Sequence, residues 1–584
     1  MVNFPKSWKF KKTKRIRYKK LSECDVSPIL IKILANRGIG TPEEVISFLK
    51  PTLKLLHDPE LLPSIKKGVK RVKNAILKNE NILIFGDYDT DGIISSVILY
   101  NFLKKLGLNV DIYIPDRFEE GYDITLNYVK KISKEEKYSL IICVDCGTNS
   151  NDVKEYILRK NIDIDLIACD HHKPSTNDII SGNKENYKKE KYIIINPKLK
   201  NSKYPFKDLS GGGVTFKFII SILRNLEEDK KKKFNKNYLT SLLDMVAIST
   251  IADVMPLTGE NRIIVKNGLK IMKNTRNKGL SLMIEELLGE KDEINTYDIG
   301  YVIAPRLNAA GRIKNADNSV NLLKEDGKNF NKIVKELNLI NKKRQKVQEN
   351  ILEEIKKGND FQEIIKNKKI FISKSKSWNE GVIGVVASNL TKIFNIPVIL
   401  FKEKGKELKG SGRSIKEFDL YSNLYVLREF FKKFGGHRQA CGIIMKKAKF
   451  NKFKKEMVKI ACEKIKKTDT EKKFSIDLEL NFSDIDNKLL EELSLMEPFG
   501  TGNPKPIFLT RDCKILKIEY LKDGQHVKLK LKKDNIELNA IMFKVNDKIK
   551  NKLKCASNVT IIYQIEENIW KGLKNIQLVI LDLV

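Results

Sequence analysis

The sequence predicts an α/β protein: a parallel-sheet domain joined by a long helix to a second α/β domain, followed by a small β-barrel of the oligonucleotide-binding type. Three observations carry the prediction. Short, nearly continuous apolar runs end in acidic loops three times between residues 81 and 172, with helical segments between them. Residues 329–357 are rich in Lys and Glu with isoleucine and leucine at helical intervals, and after residue 469 the pattern becomes short and alternating. Continuous apolar strands separated by helices indicate a parallel sheet buried on both faces, whereas alternation indicates strands with one wet face.

Residues 1–50 are a basic segment, with nine Lys or Arg in the first twenty positions, expected to pack on the core. The first domain is placed at 51–328. Within it, Asn81–Phe85 reads as a strand, Gly86-Asp87-Tyr88-Asp89-Thr90-Asp91-Gly92 as a polar loop, and Ile93–Leu106 as a helix with an apolar stripe. The same grammar returns where Ser139–Val144 runs into Asp145-Cys146-Gly147-Thr148-Asn149, and where Asp165–Cys169 runs into Asp170-His171-His172. Ligands of parallel sheets bind beyond the carboxyl ends of the strands, and all three acidic clusters fall there. A fourth acid, Asp253, follows the apolar, helical segment Met245–Ala252. A carboxylate buried beside such a segment is costly unless it is paired or bound to metal. The connecting helix is expected over 329–357. The second domain is placed at 358–468, with strands at Lys368–Ser373 and Pro397–Phe401 around a helix opened by Gly381-Val382-Ile383-Gly384. The barrel, at 469–584, rests on segments such as His526–Lys532 and Thr560–Gln564.

Composition narrows the functional class. With 584 residues and 41% hydrophobic side chains the chain has ample material for several cores, which excludes a disordered or fibrous protein. No run approaches the roughly 20 apolar residues of a membrane span, and the basic N-terminal stretch lacks a signal-peptide core, so a soluble, cytoplasmic protein is expected. Lys and Arg exceed Asp and Glu by 110 to 74, a formal net charge of +36, which favours a polyanionic partner such as nucleic acid. Part of that excess is lysine in solvated stretches such as Lys230–Lys233, so charge alone does not select the partner. Of eight cysteines, Cys143 and Cys146 have the spacing of a redox or zinc pair. No second pair accompanies them and Cys143 falls in a strand, so all are expected to be reduced core thiols.

Asp89, Asp91, Asp145, Asp170, His171 and Asp253 supply more ligands than one structural ion requires. Two hard divalent cations a few ångströms apart need a bridging carboxylate and several terminal oxygens, and imidazole moves the preference from magnesium towards manganese.

Four of these segments, Gly86–Gly92, Val144-Asp145-Cys146-Gly147, Asp170-His171-His172 and Ala252-Asp253-Val254, resemble the motifs of the DHH phosphoesterase superfamily. The wider match is to its RecJ branch, bacterial single-strand-specific exonucleases acting 5′ to 3′. Arg117-Phe118-Glu119-Glu120-Gly121-Tyr122, Pro305–Arg312, Trp378–Gly384, Gly410–Ser414, Gly435–Gly442 and Glu497–Pro504 resemble further motifs of that branch, in order, over about residues 30–535. The resemblance implies a DHH catalytic domain, a DHHA1-like substrate-binding domain and an OB-like barrel. It makes Asp89, Asp91, Asp145, His171 and Asp253 the metal ligands, with Asp145 as the bridge, for two divalent ions, manganese preferred and magnesium possible. Asp170 would then orient His171, and His172 and Arg306 would meet the substrate phosphate. Relatives place a histidine where this chain has Phe85, which implies either that one metal is held less fully or that Asp87 helps in a supporting catalytic role. Asn379 stands where histidine is expected.

Polymer recognition follows from the flanking motifs. Arg413 and Ser411 in a glycine-rich turn would hold a 5′ phosphate, with His437 in the same cradle. Tyr122 would stack on a base, and Arg117, Asn308 and Arg312 would contact the strand. The implied activity is manganese-dependent hydrolysis of single-stranded DNA from its 5′ end to mononucleotides, in repair and recombination. The family further implies a single-strand-binding protein and a RecQ-type helicase as partners. The competing readings are a superfamily phosphodiesterase acting on short oligoribonucleotides or cyclic dinucleotides, and a non-catalytic DNA-binding scaffold.

Overall fold

Five parallel strands make the first sheet: β1 (Ile82–Gly86), β2 (Val110–Tyr113), β3 (Leu140–Val144), β4 (Asp165–Cys169) and β5 (Tyr192–Ile195), in the order 2-1-3-4-5. The computed structural model describes residues 5, 7–11, 25–116, 121, 123–160, 162–175, 191–313, 316–358, 362, 369–522, 524–570 and 573–584. The strands are apolar throughout because both faces are covered. Ile82, Ile84, Leu140, Ile142 and Ile167 face a large core shared with helices α1 (Thr90–Lys105), α2 (Gly211–Arg224) and α3 (Leu243–Ala252). Leu83, Phe85, Ile141, Cys143 and Leu166 face a second core on the other side. In this order the strands are added first on one side of β1 and then on the other, from β3 onwards, so the loops after β1 and β3 lead away to opposite faces and open a crevice at their carboxyl ends.

The chain divides into two compact units: residues 10–338 with 476–584, and residues 1–9 with 339–475. The division falls inside the long helix Phe330–Lys357. The smaller unit carries a mixed sheet of β6 (Phe371–Ser375), β7 (Val398–Lys404), β8 (Glu407–Arg413), β9 (Phe431–His437) and β10 (Ala440–Lys446), in the order 9-10-8-7-6, with only β6 and β7 parallel.

Residues 508–583 form a closed barrel of β11 (Phe508–Leu521), β12 (His526–Lys533), β13 (Ile536–Phe543), β14 (Asn558–Trp570) and β15 (Leu573–Leu583). Register shifts along β11 let it pair with β12 at one end and β14 at the other, which closes the order 11-12-13-15-14 on itself. With β13 and β15 parallel and a helix (Asp547–Cys555) between β13 and β14, this is OB-fold topology. The alternation in β12 has the expected cause: Val527, Leu529 and Leu531 fill the barrel while Lys528 and Lys530 face water.

The two helices of the N-terminal segment join the barrel's core rather than that of the parallel sheet. Leu30, Ile33, Leu34, Val45 and Leu49, on helices Pro28–Ala35 and Pro42–Leu49, bury with Leu489, Leu493, Phe508 and Tyr563. The segment is expected to pack on the core, and the apolar stripe of these short helices decides that the core is the barrel's. Five of the cysteines expected in cores, Cys143, Cys146, Cys169, Cys441 and Cys513, are buried, whereas Cys462 and Cys555 are exposed. Among the described residues no helix is long and apolar enough to cross a membrane.

Candidate metal centre

The loop after β1 turns directly into α1. Asp89 is the N-cap, its Oδ1 accepting the Asp91 and Gly92 amides at 2.9 and 3.1 Å. Asp91, in the first turn, is buried, and its two oxygens accept the Gly211 and Gly212 amides, each at 2.8 Å, with the Ser249 hydroxyl donating at 2.6 Å. The amides of α2's first turn thus hold a carboxylate where the helix dipole favours negative charge. Only glycine fits there. A Cβ on Gly211 would lie 2.7 Å from Asp145 Cβ and Oδ1, and one on Gly212 would collide with the Ser249 hydroxyl.

Asp145 follows β3 with φ 60°, in the left-handed region that Asp and Asn tolerate better than other side chains. Its amide donates to Cys169 O at 2.9 Å, and its Oδ1 is buried without a hydrogen-bond donor. Burial and the charges of Asp91, Asp89, Asp87 and Asp253 push its carboxyl well above the ordinary range. Burial and the Asp91 and Asp89 charges do the same to Asp253. Asp253 caps the C-terminus of α3, its amide donating to Ser249 O at 3.1 Å, and the chain leaves through Val254 at φ 57°.

Asp170 aims the ring of His172, not that of His171. Its Oδ1 accepts the amides of His171 and His172 at 2.7 and 3.0 Å and lies 2.8 Å from His172 Nδ1, while its Oδ2 accepts the Thr148 amide at 2.9 Å. Burial pushes Asp170 up, but the His172 hydrogen bond and the charges of both rings outweigh it and hold the carboxyl low. Burial works against His172, yet the Asp170 bond and charge raise it to about 9. His171 is the reverse case, lowered to about 4 by burial. It is therefore neutral near pH 7, the form that ligates metal. Its Nε2 stands 3.1, 3.6 and 3.7 Å from carboxylate oxygens of Asp145, Asp253 and Asp91.

These residues fit a pair of divalent cations. Ligand atoms of Asp91, His171 and Asp253 lie within 4.8 Å of one another, as do those of Asp87, Asp89 and Asp145 and those of Asp145, His171 and His172. Asp145 belongs to one acidic group and meets the other at His171, and its buried Oδ1, 3.1 Å from His171 Nε2 yet accepting no hydrogen bond, is hard to explain without a positive partner. All oxygen and imidazole donors, with no thiolate, suit manganese or magnesium.

Phe85, in place of a histidine, turns into the core against Tyr113 and Tyr128, with ring centroids at 5.7 and 5.4 Å, and Asp87 takes its share of the acidic group. The Pro305–Arg312 motif lies on the helix Ala304–Ile313 that packs on the metal loop. Asn308 Oδ1 accepts the Thr90 amide at 2.9 Å, and the Cα of Gly311 lies so close to Tyr88 that a Cβ would meet its carbonyl at 2.8 Å. Arg312 is the next residue, half-buried. The Arg306 guanidinium bonds Val302 O at 2.6 Å and Asn338 Oδ1 at 3.2 Å, not the acids. In the smaller unit, Arg413 Nη1 donates to Ser411 Oγ at 3.1 Å, and strand register sets His437, Ala440 and Arg413 in one row. A Cβ on Gly384 would meet Ser411 Oγ at 2.9 Å, which joins the Trp378–Gly384 motif to β8, where Ser411 and Arg413 lie on a paired strand rather than in the glycine-rich turn expected, and Asn379 is the N-cap of the helix Glu380–Phe394. Arg117 and Tyr122 lie outside the described residues.

Residues absent from the sequence reading complete the centre. Ser210 caps α2 through the Gly213 amide at 3.0 Å, Gly211 and Gly212 grip Asp91, and Ser249 supports it. A serine before three glycines opening an apolar helix is the signal that marks such an anion-holding terminus. Asp123 is another, accepting the Gly147 amide at 3.0 Å and the Ser150 hydroxyl at 2.6 Å and so fixing the loop that follows Asp145.

Family models match the chain in three places: the DHH family N-terminal domain over residues 81–250, the DHHA1 domain over 367–464 and the RecJ OB domain over 476–582. The single-stranded-DNA-specific exonuclease RecJ of Bacillus subtilis is 33% identical, the alignment covering 98% of this chain and 70% of the relative. The crystal structure of Thermus thermophilus RecJ with Mn2+ superposes with a TM-score of 0.81 at 25% identity, over 99% of this chain and 79% of that one. A structure of exonuclease RecJ bound to manganese matches with a TM-score of 0.56 at 28% identity, over 70% of this chain and 96% of that one. A match of this length, running through all three domains and the acidic loops alike, shows that the chain belongs to the RecJ family of the DHH phosphoesterases.

Proposed function

We propose that the chain is a metal-dependent exonuclease that hydrolyses single-stranded DNA 5′ to 3′ and releases 5′-mononucleotides, in DNA repair and recombination. The observation that carries this is the buried Asp145 oxygen, orphaned among Asp87, Asp89, Asp91, His171 and Asp253, in a member of the RecJ family. Two divalent ions, manganese preferred and magnesium accepted, would clamp the non-bridging phosphate oxygens and acidify the attacking water when bound. Asp89, Asp91, Asp145, His171 and Asp253 would hold them, Asp145 being shared between the two, and Asp87 would support the Asp89 side. Gly211, Gly212 and Ser249 keep Asp91 in place. His172, held cationic by Asp170, faces the charge that builds on the transferring phosphoryl group. Arg413 with Ser411 and His437 receives the 5′ phosphate, while Arg117, Tyr122, Asn308 and Arg312 line the strand's course. Arg306 supplies positive charge from one turn beyond Val302. The cytoplasm is the proposed location, and a single-strand-binding protein and a RecQ-type helicase are the proposed partners, on the strength of the family.

The deciding assay compares 5′- and 3′-labelled single strands, blunt duplex and dinucleotides, with and without manganese. Mononucleotides released first from the 5′ end of single strands are expected; preferential 3′ attack, or activity confined to dinucleotides, would refute the reading.

Two further outcomes are expected. His172, raised to about 9, should stay charged to that pH, so kcat/KM should fall on the alkaline side near it. The sign for stability is the same: a value raised above the unfolded one stabilises fully below about pH 6.5 and is lost as pH climbs through 9. Asp170→Asn should move the alkaline limb down by more than about one pH unit; an unmoved limb would remove His172 from the mechanism. Arg413→Ala should erase about 10-fold or more of the preference for 5′-phosphorylated over 5′-hydroxyl strands, since a bidentate phosphate contact is lost. Equal loss on both ends would contradict the assignment.

A further inference from the structure

Tyr297 and Tyr301 are among the most exposed large hydrophobic side chains of the described residues, 64% and 63% accessible, and they stack on each other with centroids 4.7 Å apart and planes at 24°. They stand one turn apart, Tyr297 as the N-cap of a π-helical segment, Asp298–Ile303, and Tyr301 within it, and the segment continues into the helix Ala304–Ile313. Short π-helical turns concentrate at functional sites. The segment is held firmly at its start. Asn295 Oδ1 accepts the Tyr297 and Asp298 amides at 2.9 and 3.2 Å, and Asp298 Oδ2 returns to the Asn295 amide at 2.9 Å and to Lys291 Nζ at 2.6 Å. Thr296 donates to Phe499 O at 2.9 Å, which ties the same turn to the loop leading into the barrel. Two large rings are thus presented to water on a rigid base, so little ordering entropy remains to oppose a partner that stacks on them.

Position indicates the partner. The helix that begins with the tyrosines ends on the metal loop, where Asn308 meets Thr90 and Gly311 abuts Tyr88. At helical rise the rings lie about 10–16 Å along the axis from Asn308. Between them sits Arg306, whose guanidinium is drawn back along the helix to Val302 O, beside Tyr301. Aromatic faces interleaved with guanidinium charge make a stacking platform that accepts any base and tracks a backbone. We propose that Tyr297 and Tyr301 form a subsite that stacks a nucleobase of the single strand on the 3′ side of the scissile bond. The inference rests on the exonuclease reading above. When the product is a mononucleotide, only one nucleotide lies 5′ of that bond, so a subsite this far from the metal loop serves the body of the strand.

The test uses the full chain and oligodeoxynucleotides carrying 2-aminopurine at successive positions, bound in EDTA so that stacking is read without turnover. Fluorescence should be quenched at one or two interior positions, and the Tyr297→Ala/Tyr301→Ala variant should lose that quenching. With manganese, the same variant should raise KM for a 20-mer by about 5- to 100-fold while leaving the KM of a trinucleotide little changed. The double Phe variant, which keeps the rings, should restore both. Undiminished quenching in the alanine variant, or equal loss on the 20-mer and trinucleotide, would overturn the platform. A wild-type chain that binds with quenching but cleaves no single strand would overturn the exonuclease reading instead.

Discussion

Replacing Asp145 by asparagine is expected to lower turnover by roughly 1,000-fold or more while raising the melting temperature of the metal-free protein by a few degrees. Both effects have one origin. Asp145 is buried among Asp91, Asp89, Asp87 and Asp253, and its Oδ1 has no donor, so without cations the folded state carries a repulsion that the unfolded chain escapes. Asparagine removes the charge and keeps the shape. It also accepts φ 60°, which alanine does at a cost of about 1 kcal/mol or more. Asp145→Ala should therefore lose turnover equally without the full gain in melting temperature. Thermal melts in EDTA and in manganese give the check. In the wild type manganese should raise the midpoint strongly, and in Asp145→Asn much less. A variant that still gains the full manganese shift would show that Asp145 does not bridge the ions.

The second large effect concerns a residue that does no chemistry. Gly211→Ala is expected to cost at least about 100-fold in kcat, because a displacement near 1 Å at a reacting centre has that consequence. The added methyl would stand 2.7 Å from Asp145 Cβ and Oδ1, so either Asp145 moves or α2 retreats and releases Asp91. Overpacking of this kind also destabilises, by about 1–3 kcal/mol. Gly213→Ala is the control. Its nearest neighbours would lie 3.3 Å away on Leu209, which can yield, and alanine suits a helix better than glycine. Comparable losses at both positions would point to a general intolerance of the helix start rather than to the grip on Asp91.

Much of this arrangement is legible before any coordinates. A parallel strand buried on both faces writes itself as an unbroken apolar run, so Ile82–Gly86, Leu140–Val144 and Asp165–Cys169 can be found by eye, and the acids after them must gather at one sheet edge. Asp253 is placed by the same logic, at the end of an apolar helix. What stays hidden depends on contacts between distant parts of the chain. Gly211 lies 120 residues from Asp91, and nothing local to either reveals the hydrogen bond. Asp170 touches both histidines, and only the loop's path shows that its carboxylate meets the His172 ring. Arg306 turned back along its own helix because burial rewards a nearby carbonyl, a choice that composition does not record. The N-terminal helices follow their leucines into the barrel, although their charge is the more visible property.

One contact sets the mechanical character of the molecule. Arg262, buried on the helix Gly259–Met272, donates to carbonyls of Phe48, Leu495, Met496 and Glu497, and Leu257, four residues after Asp253, donates to Thr501 O at 2.7 Å. The segment leading into the barrel is therefore bolted to the turn that follows Asp253 and to the next helix, not tethered beside them. Force applied by a strand drawn across the barrel would pass through Pro256 and Leu257 into Asp253, so the grip on the polymer and the alignment of the cutting centre share one frame. Removing the barrel should consequently behave as damage to the blade as well as loss of a handle.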